Sequence, residues 1–247
     1  MKISLITVTY NSATTLSNTI ESVISQTYPH IEYIIVDGAS TDHTPQILST
    51  YQQQITTVLS EPDLGIYDAM NKGVQMATGD VIGFLNADDM FNSVTAVEEA
   101  MRTFLANDQI DGVYADLYYV AKNNTDKIVR HWRSGRQRPF SRGWHPAHPT
   151  FYVRRAVYQR LGSFNLDLQF AADFELMLRF VEKGGISLAY LPKPLVKMRL
   201  GGVSNNSVWN ILKGNFESYK SFRMNGIPVT LFYPFLRLVP KLKQFFI

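Results

Sequence analysis

The segment Gly79-Asp80-Val81-Ile82-Gly83-Phe84-Leu85-Asn86-Ala87-Asp88-Asp89-Met90 constrains this chain more than any other stretch. Val81, Ile82, Phe84 and Leu85 leave no room for a polar face, as in a strand covered on both sides. The run then stops on two adjacent carboxylates. In an open α/β sheet, ligands bind beyond the carboxyl ends of the strands. Hard oxygen donors placed there suit Mg2+ or Mn2+ shared with a substrate phosphate. Asp is also a good capping residue, so Asp88 and Asp89 have a second reading as the lead-in to a helix starting near Ser93.

The sequence before this segment repeats its plan. Lys2 to Tyr10 is a β-rich apolar run, and Asn11-Ser12 then caps an apolar-periodic helix over Leu16–Ile24. Ile31 to Val36 is a second buried strand, ending in Asp37-Gly38-Ala39-Ser40-Thr41-Asp42. Thr44–Tyr51 reads as a short helix, Thr56–Leu59 as a third strand and Leu64–Ala77 as a helix ended by Gly79. This alternation predicts an α/β fold of βαβ units around a mostly parallel sheet. Thr9-Tyr10-Asn11, Asp37, Glu61-Pro62-Asp63 and Asn86–Asp89 all stand where a strand gives out, so they converge on one polar sheet edge. Neither G-x-G-x-x-G nor G-x-x-x-x-G-K-[ST] occurs, which argues against a dinucleotide cofactor and P-loop hydrolysis. G-x-S-x-G is also missing, and with it the serine-hydrolase elbow.

The second half is less regular. Val94–Leu105 predicts a helix and Gly112–Val120 a strand containing Asp116, with Lys127–Trp132 pairing to it as a hairpin. The basic, aromatic stretch from Arg130 to Arg142 is either a solvated loop or an acceptor-side loop whose arginines meet a phosphate or acidic sugar. His145-Pro146-Ala147-His148 leads into a strand and a helix through Leu161. Phe170–Phe180 is an apolar-periodic helix with Asp173 near its start, where an acid suits the helix dipole. Ile186–Leu191 and Leu195–Met198 read as two short strands around Pro192 and Pro194. Arg199 to Ser204 is a glycine-containing turn. No His and acid set has zinc spacing.

Four ordered motifs carry a family likeness. They are Val8-Thr9-Tyr10-Asn11, the stretch from Val36 to Thr44, the stretch from Asp63 to Gly73, and Phe84-Leu85-Asn86-Ala87-Asp88-Asp89. Together they resemble glycosyltransferase family 2, closely over the first hundred residues and more loosely to about Ser204. The resemblance implies the GT-A fold, a Rossmann-like sheet flanked by helices. Residues 1–204 would form the transferase domain, with a nucleotide-binding half (1–90) and an acceptor half (91–204), and 205–247 a helical tail. It implies a nucleotide-diphosphate sugar as donor, UDP favoured. Asp37 would bond the base, Thr9 and Tyr10 would lie beside the nucleotide, and Asp63 along the same wall. Asn86-Ala87-Asp88 falls on the family's D-x-D motif, so Asp88 would ligate Mn2+ or Mg2+. Asn86 departs from the pattern and brings one less negative charge to that cation. The resemblance further implies Asp173 as catalytic base, with Glu175 the weaker neighbour, and His148 on the acceptor floor. Arg199 and Ser204 would belong to a loop closing near the diphosphate, and Asn71 would act one step removed from the donor. Single displacement would invert the anomeric centre.

The net charge of +3 is unevenly spread. From Lys197 onward eight basic residues face one acid, Glu217, so residues 1–196 sum to −4. Lysines and arginines alternate with aromatics from Val208 to Ile247, a pattern that suits an anionic membrane surface. No segment has the roughly 18 apolar residues of a spanning helix. The start reads as a strand, not a signal peptide. With no cysteine, disulfides and thiolate chemistry are excluded. The expectation is a cytoplasmic enzyme, peripheral on the inner face of the membrane, acting on a sugar or lipid-linked saccharide in bacterial surface-polysaccharide synthesis. Nucleic acid is not an expected partner. The alternatives are a nucleotidyltransferase and a non-catalytic nucleotide-sugar or membrane-docking module.

Overall fold

The computed structural model describes residues 1–201 and 208–236. Its first half alternates β1 (Ile3–Thr9), α1 (Leu16–Ile24), β2 (Ile31–Asp37), α2 (Thr44–Thr50), β3 (Thr57–Ser60), α3 (Ile66–Met76) and β4 (Val81–Phe84). The strands lie in the order β3-β2-β1-β4 and every pair is parallel. β1 and β4 are buried throughout, because helices cover both faces. Alternation along β1 sends Ile3 and Leu5 into the core shared with Leu16, Ile20 and Val23 of α1. Ile6 and Val8 enter the opposite core, with Ala69 and Met70 of α3.

Register sets the height of the polar strand ends. Thr9 pairs with Asp37 and Asp37 with Ser60, so the ends of β1, β2 and β3 are level. The chain continues through β5 (Met90–Phe91), α4 (Ala96–Ala106), β6 (Gly112–Ala121), β7 (Asn124–Trp132), β8 (Tyr152–Arg154) and α5 (Arg155–Leu161). It then enters α6 (Ala172–Leu178), prolonged by a π-helical stretch over Arg179–Lys183, and β9 (Leu188–Arg199). β8 pairs antiparallel with both β4 and β6, β9 runs parallel to β6, and β7 forms the hairpin with β6.

Two local expectations are corrected. Asp88 and Asp89 do not cap a helix: the chain enters β5, which pairs antiparallel with β9, and α4 begins only at Ala96. The two short strands expected around Pro192 and Pro194 are one strand. β9 passes both prolines with register shifts on either side of Asp116, the irregularity that absorbs the missing N–H donors.

α7 (Val208–Met224) and α8 (Tyr233–Leu236) close onto α6. Phe222 and Tyr233 are fully buried and pack on Phe174. Ser204 and the tail from Arg237 onward lie outside the described residues. No helix among the described residues is long and apolar enough to cross a membrane.

Candidate donor and catalytic site

The loops after β1 and β2 interlock at the carboxyl edge. Gly38 N–H donates to the Thr9 carbonyl, and Asn11 Oδ1 accepts from Thr41 and Asp42 N–H. Asn11 (φ 50°) and Ala39 (φ 58°) both sit in the left-handed region, backbone strain held by these bonds. Asn11 therefore ties two loops together and does not cap α1, contrary to its sequence reading. Asp37 is completely buried. Its carboxylate accepts from Ser40 N–H (3.1 Å), Ser40 Oγ (2.5 Å) and Ser60 Oγ (2.6 Å), so it organises these serines. Gly38 sits between Asp63 and Tyr10: a Cβ there would approach Asp63 Oδ2 to 2.5 Å and the Tyr10 ring to 3.3 Å. Tyr10 is 63% exposed, a large ring left standing in solvent. Thr9 Oγ1 is buried without a hydrogen-bond partner.

The turn after β4 meets the end of β9. Arg199 is buried there, its Nε donating to the Asp88 carbonyl (3.0 Å) and its N–H to Asp89 Oδ1 (3.3 Å). Asp89 is wholly buried and also accepts from Asn86 Nδ2 at 3.4 Å. Burial first, then the neighbouring Asp88 charge, pushes the Asp89 carboxyl well above the usual range. Burial likewise raises Asp88, with Arg199 only partly opposing it. Asn86 Oδ1 is buried and unpartnered. An orphaned amide oxygen beside a desolvated carboxylate fits a divalent cation, whose positive charge would relieve both. The described residues hold no cluster of three or more acidic or His ligands, so substrate oxygens and water would complete the coordination.

A second acidic centre is built from more distant segments. Asp173, half-buried in the first turn of α6, accepts from Tyr67 Oη at 3.2 Å. Tyr67 titrates far above its ordinary range because it is buried and faces that carboxylate. His148 stacks on Phe84 (5.6 Å) and meets Phe164 edge-on. Burial lowers its imidazole against the opposing pull of Asp173. Asn71 clamps Phe164 at both backbone polar groups (2.9 and 2.8 Å), so it acts through Phe164, which stacks on Tyr67. Tyr119 lies under the Arg130 guanidinium at 3.9 Å. Burial raises its hydroxyl, Arg130 opposes that, and the charges of Asp89 and Asp173 both reach it.

Glu175 has no such freedom, being paired with Arg179 at 2.9 Å and bonded to Asn225 Nδ2. Asp116 is likewise committed, to Ser134 N–H and Tyr190 Oη. In the basic loop Arg130 covers the Tyr119 ring, whereas Arg133, Arg136, Arg138 and Arg142 are exposed. Tyr67 and Tyr119 escaped the sequence reading. Tyr67 stood inside a quoted motif with nothing to mark its partner, and Tyr119 reads as an ordinary strand aromatic. Glu217 also escaped it: its carboxylate accepts from the N–H groups of Gln169, Phe170 and Ala171, fixing the segment that leads into the helix carrying Asp173.

An open sheet with these two acidic centres along its carboxyl edge defines a GT-A type transferase scaffold. Glycosyl transferase family 2 matches residues 4–192, and the chain belongs to that family. A glycosyltransferase of Mycobacterium tuberculosis is 30% identical over 184 residues, covering 72% of this chain and 68% of its own. The PGL/p-HBAD biosynthesis glycosyltransferase of Mycobacterium bovis is 27% identical over 216 residues, covering 83% and 80%. Among solved structures, S. aureus TarS 1–349 in complex with UDP-GlcNAc superposes with a TM-score of 0.67 at 20% identity. That match covers 91% of this chain and 65% of that one. Mannosyltransferase PcManGT from Pyrobaculum calidifontis, in complex with GDP-Man and Mn2+, gives 0.68 at 18% identity, covering 98% and 73%. The structural likenesses establish the shared fold, and family membership makes the protein a glycosyltransferase acting with nucleotide sugars.

Proposed function

We propose that the protein transfers a sugar, with inversion, from a UDP-sugar to a sugar or lipid-linked saccharide acceptor in surface-polysaccharide synthesis. The observation that carries this reading is a pair of under-satisfied polar places, the turn after β4 and the start of α6. Asp88 with the orphaned Asn86 oxygen suits a cation shared with a diphosphate, and Asp173 stands apart with a carboxylate oxygen engaged only by Tyr67 among the described contacts. Residues 1–90 form the nucleotide half. There Tyr10 and Asp63 flank the slot at Gly38 for the base, Asp37 sets Ser40 and Ser60, and the Thr9 hydroxyl awaits a donor oxygen.

Residues 91–204 supply the acceptor side. Asp173 takes the proton of the acceptor hydroxyl as that oxygen bonds the anomeric carbon and the bond to the diphosphate breaks. Attack opposite the leaving group inverts the centre. Tyr67 holds the carboxylate, and His148, kept neutral by burial, forms the floor with Phe84 and Phe164. Arg199, buried beside the Asp88 turn, fixes its backbone on the leaving-group side. Mn2+ or Mg2+ held by Asp88 and Asn86 would offset the charge of the departing diphosphate. The basic tail from residue 205 would hold the enzyme on the cytoplasmic leaflet, beside a lipid-linked acceptor.

Calorimetric titration of UDP and GDP, with and without Mn2+, tests the donor half. UDP binding that strengthens with Mn2+ and is lost in Asp88→Ala supports it. Absence of binding by either nucleotide under both conditions would sink the reading.

A further inference from the structure

α7 is folded inside out. Its inner face carries Asn215, Ser218, Ser221 and Asn225, all buried, with Phe222 as the large apolar side chain among them. Its outer face carries Trp209 (72% exposed), Leu212 (53%) and Phe216 (66%). At 3.6 residues per turn these three fall on one arc, and Lys213, Lys220 and Arg223, all exposed, fall on the same arc. A helix packed on a globular body ordinarily does the reverse and buries its apolar stripe. The only carboxylate of α7, Glu217, is turned inward onto the Gln169, Phe170 and Ala171 N–H groups. The outer face is therefore apolar and cationic, with no acid.

We propose that this outer face of α7 is a docking surface for an anionic lipid leaflet. The proposal rests on the membrane reading above and narrows it, within the tail from residue 205, to one face of α7 rather than the residues beyond 236. Charge complementarity selects the occupant: aromatic and aliphatic side chains enter the headgroup region while interleaved cations meet lipid phosphates. A second copy of this chain would bring Lys213, Lys220 and Arg223 against their own equivalents, a like-charge contact. Docking there also reaches the chemistry. Glu217 accepts from the N–H groups just ahead of the helix bearing Asp173, and Asn225 holds Glu175 two residues further on, so α7 is tied directly to the segment that carries Asp173.

The test is cosedimentation of the full chain with vesicles of phosphatidylcholine and of equal parts phosphatidylcholine and phosphatidylglycerol. All substituted side chains are exposed, and a thermal melt matching wild type checks the fold. The combined Trp209→Ser, Leu212→Ser, Phe216→Ser variant should lose roughly tenfold or more of its partitioning. Lys213→Gln, Lys220→Gln and Arg223→Gln should each weaken binding to the anionic vesicles by roughly fivefold and leave neutral vesicles unaffected. If the triple variant partitions like wild type while removal of residues 237–247 abolishes binding, the membrane reading stands and the α7 proposal falls. If wild type binds neither vesicle, both fall. If the triple substitution only converts a dimer to a monomer, the face is a contact between copies and the proposal is overturned.

Discussion

At the amino-terminal edge of the parallel strands, the Glu32 carboxylate receives Ser4 Oγ, Thr78 N–H, Thr78 Oγ1 and Lys2 Nζ. Burial alone would push Glu32 up, but those bonds outweigh it and bring the group down to about 2. At the carboxyl edge of the same strands, Asp88 and Asp89 are driven upward by burial, Asn86 Oδ1 and Thr9 Oγ1 have no partner, and two non-glycine residues hold positive φ. One edge satisfies its charge and stabilises the fold. The other leaves charge and polarity unsatisfied, which costs stability in the free protein and is recovered only when a ligand supplies the missing partners.

The largest test of this contrast is Asp173→Asn. Turnover should fall roughly a thousandfold, within the range for loss of a general base, with nucleotide affinity and melting temperature essentially unchanged. A variant that kept its turnover would remove Asp173 from the chemistry. Next comes Asp88→Asn, for which UDP affinity in Mn2+ should drop by roughly a hundredfold, since a divalent site with few protein ligands depends on each. Its melting temperature should hold or rise, because a desolvated charge is removed. A clear fall in melting temperature would break the comparison at its site end.

At the opposite edge Glu32→Gln should lower stability by about 2 kcal/mol, as donors now facing an amide lose their acceptor, and leave turnover alone. The pH dependence has a definite sign. The folded value near 2 lies below the ordinary 4.5, so the charge of Glu32 contributes stability above about pH 4.5, and that contribution is lost as pH falls toward 2. Chemical denaturation of wild type and variant across that window should therefore show the gap closing on acidification. The smallest expected effect is at Gly38→Ala. The added methyl displaces the movable Asp63 carboxylate, so stability should change by less than about 1 kcal/mol, while the KM for the donor rises roughly tenfold through the base slot. An unchanged KM would mean that Tyr10 and Asp63 do not bound that slot.

The residues of the first half that the sequence singled out are local in origin. An unbroken apolar strand must be covered on both faces, and a polar strand end must fall at the sheet edge, so Thr9, Asp37, Asp63 and Asn86–Asp89 could be placed together from pattern alone. Asp173 was singled out only through the family resemblance, since nothing in its own helix separates it from a first-turn acid. The relations among these residues were not legible. Asp37 is committed to Ser40 and Ser60, and Asn71 to Phe164, because side-chain partners depend on packing across segments with no fixed spacing.

The sequence by itself therefore determined the parallel half-sheet and its polar edge, since periodicity and strand ends are properties of short windows, while the nucleotide-sugar reading came from the family resemblance. Tertiary structure alone decided the rest. The antiparallel pairing of β5 with β9 carries Arg199 to the Asp88 turn across 111 residues, Tyr67 meets Asp173 across 106, and Glu217 anchors the backbone ahead of α6 across 46 or more. It also set the orientation of α7, whose Glu217 bonds the backbone ahead of α6 while Trp209 and Phe216 face outward.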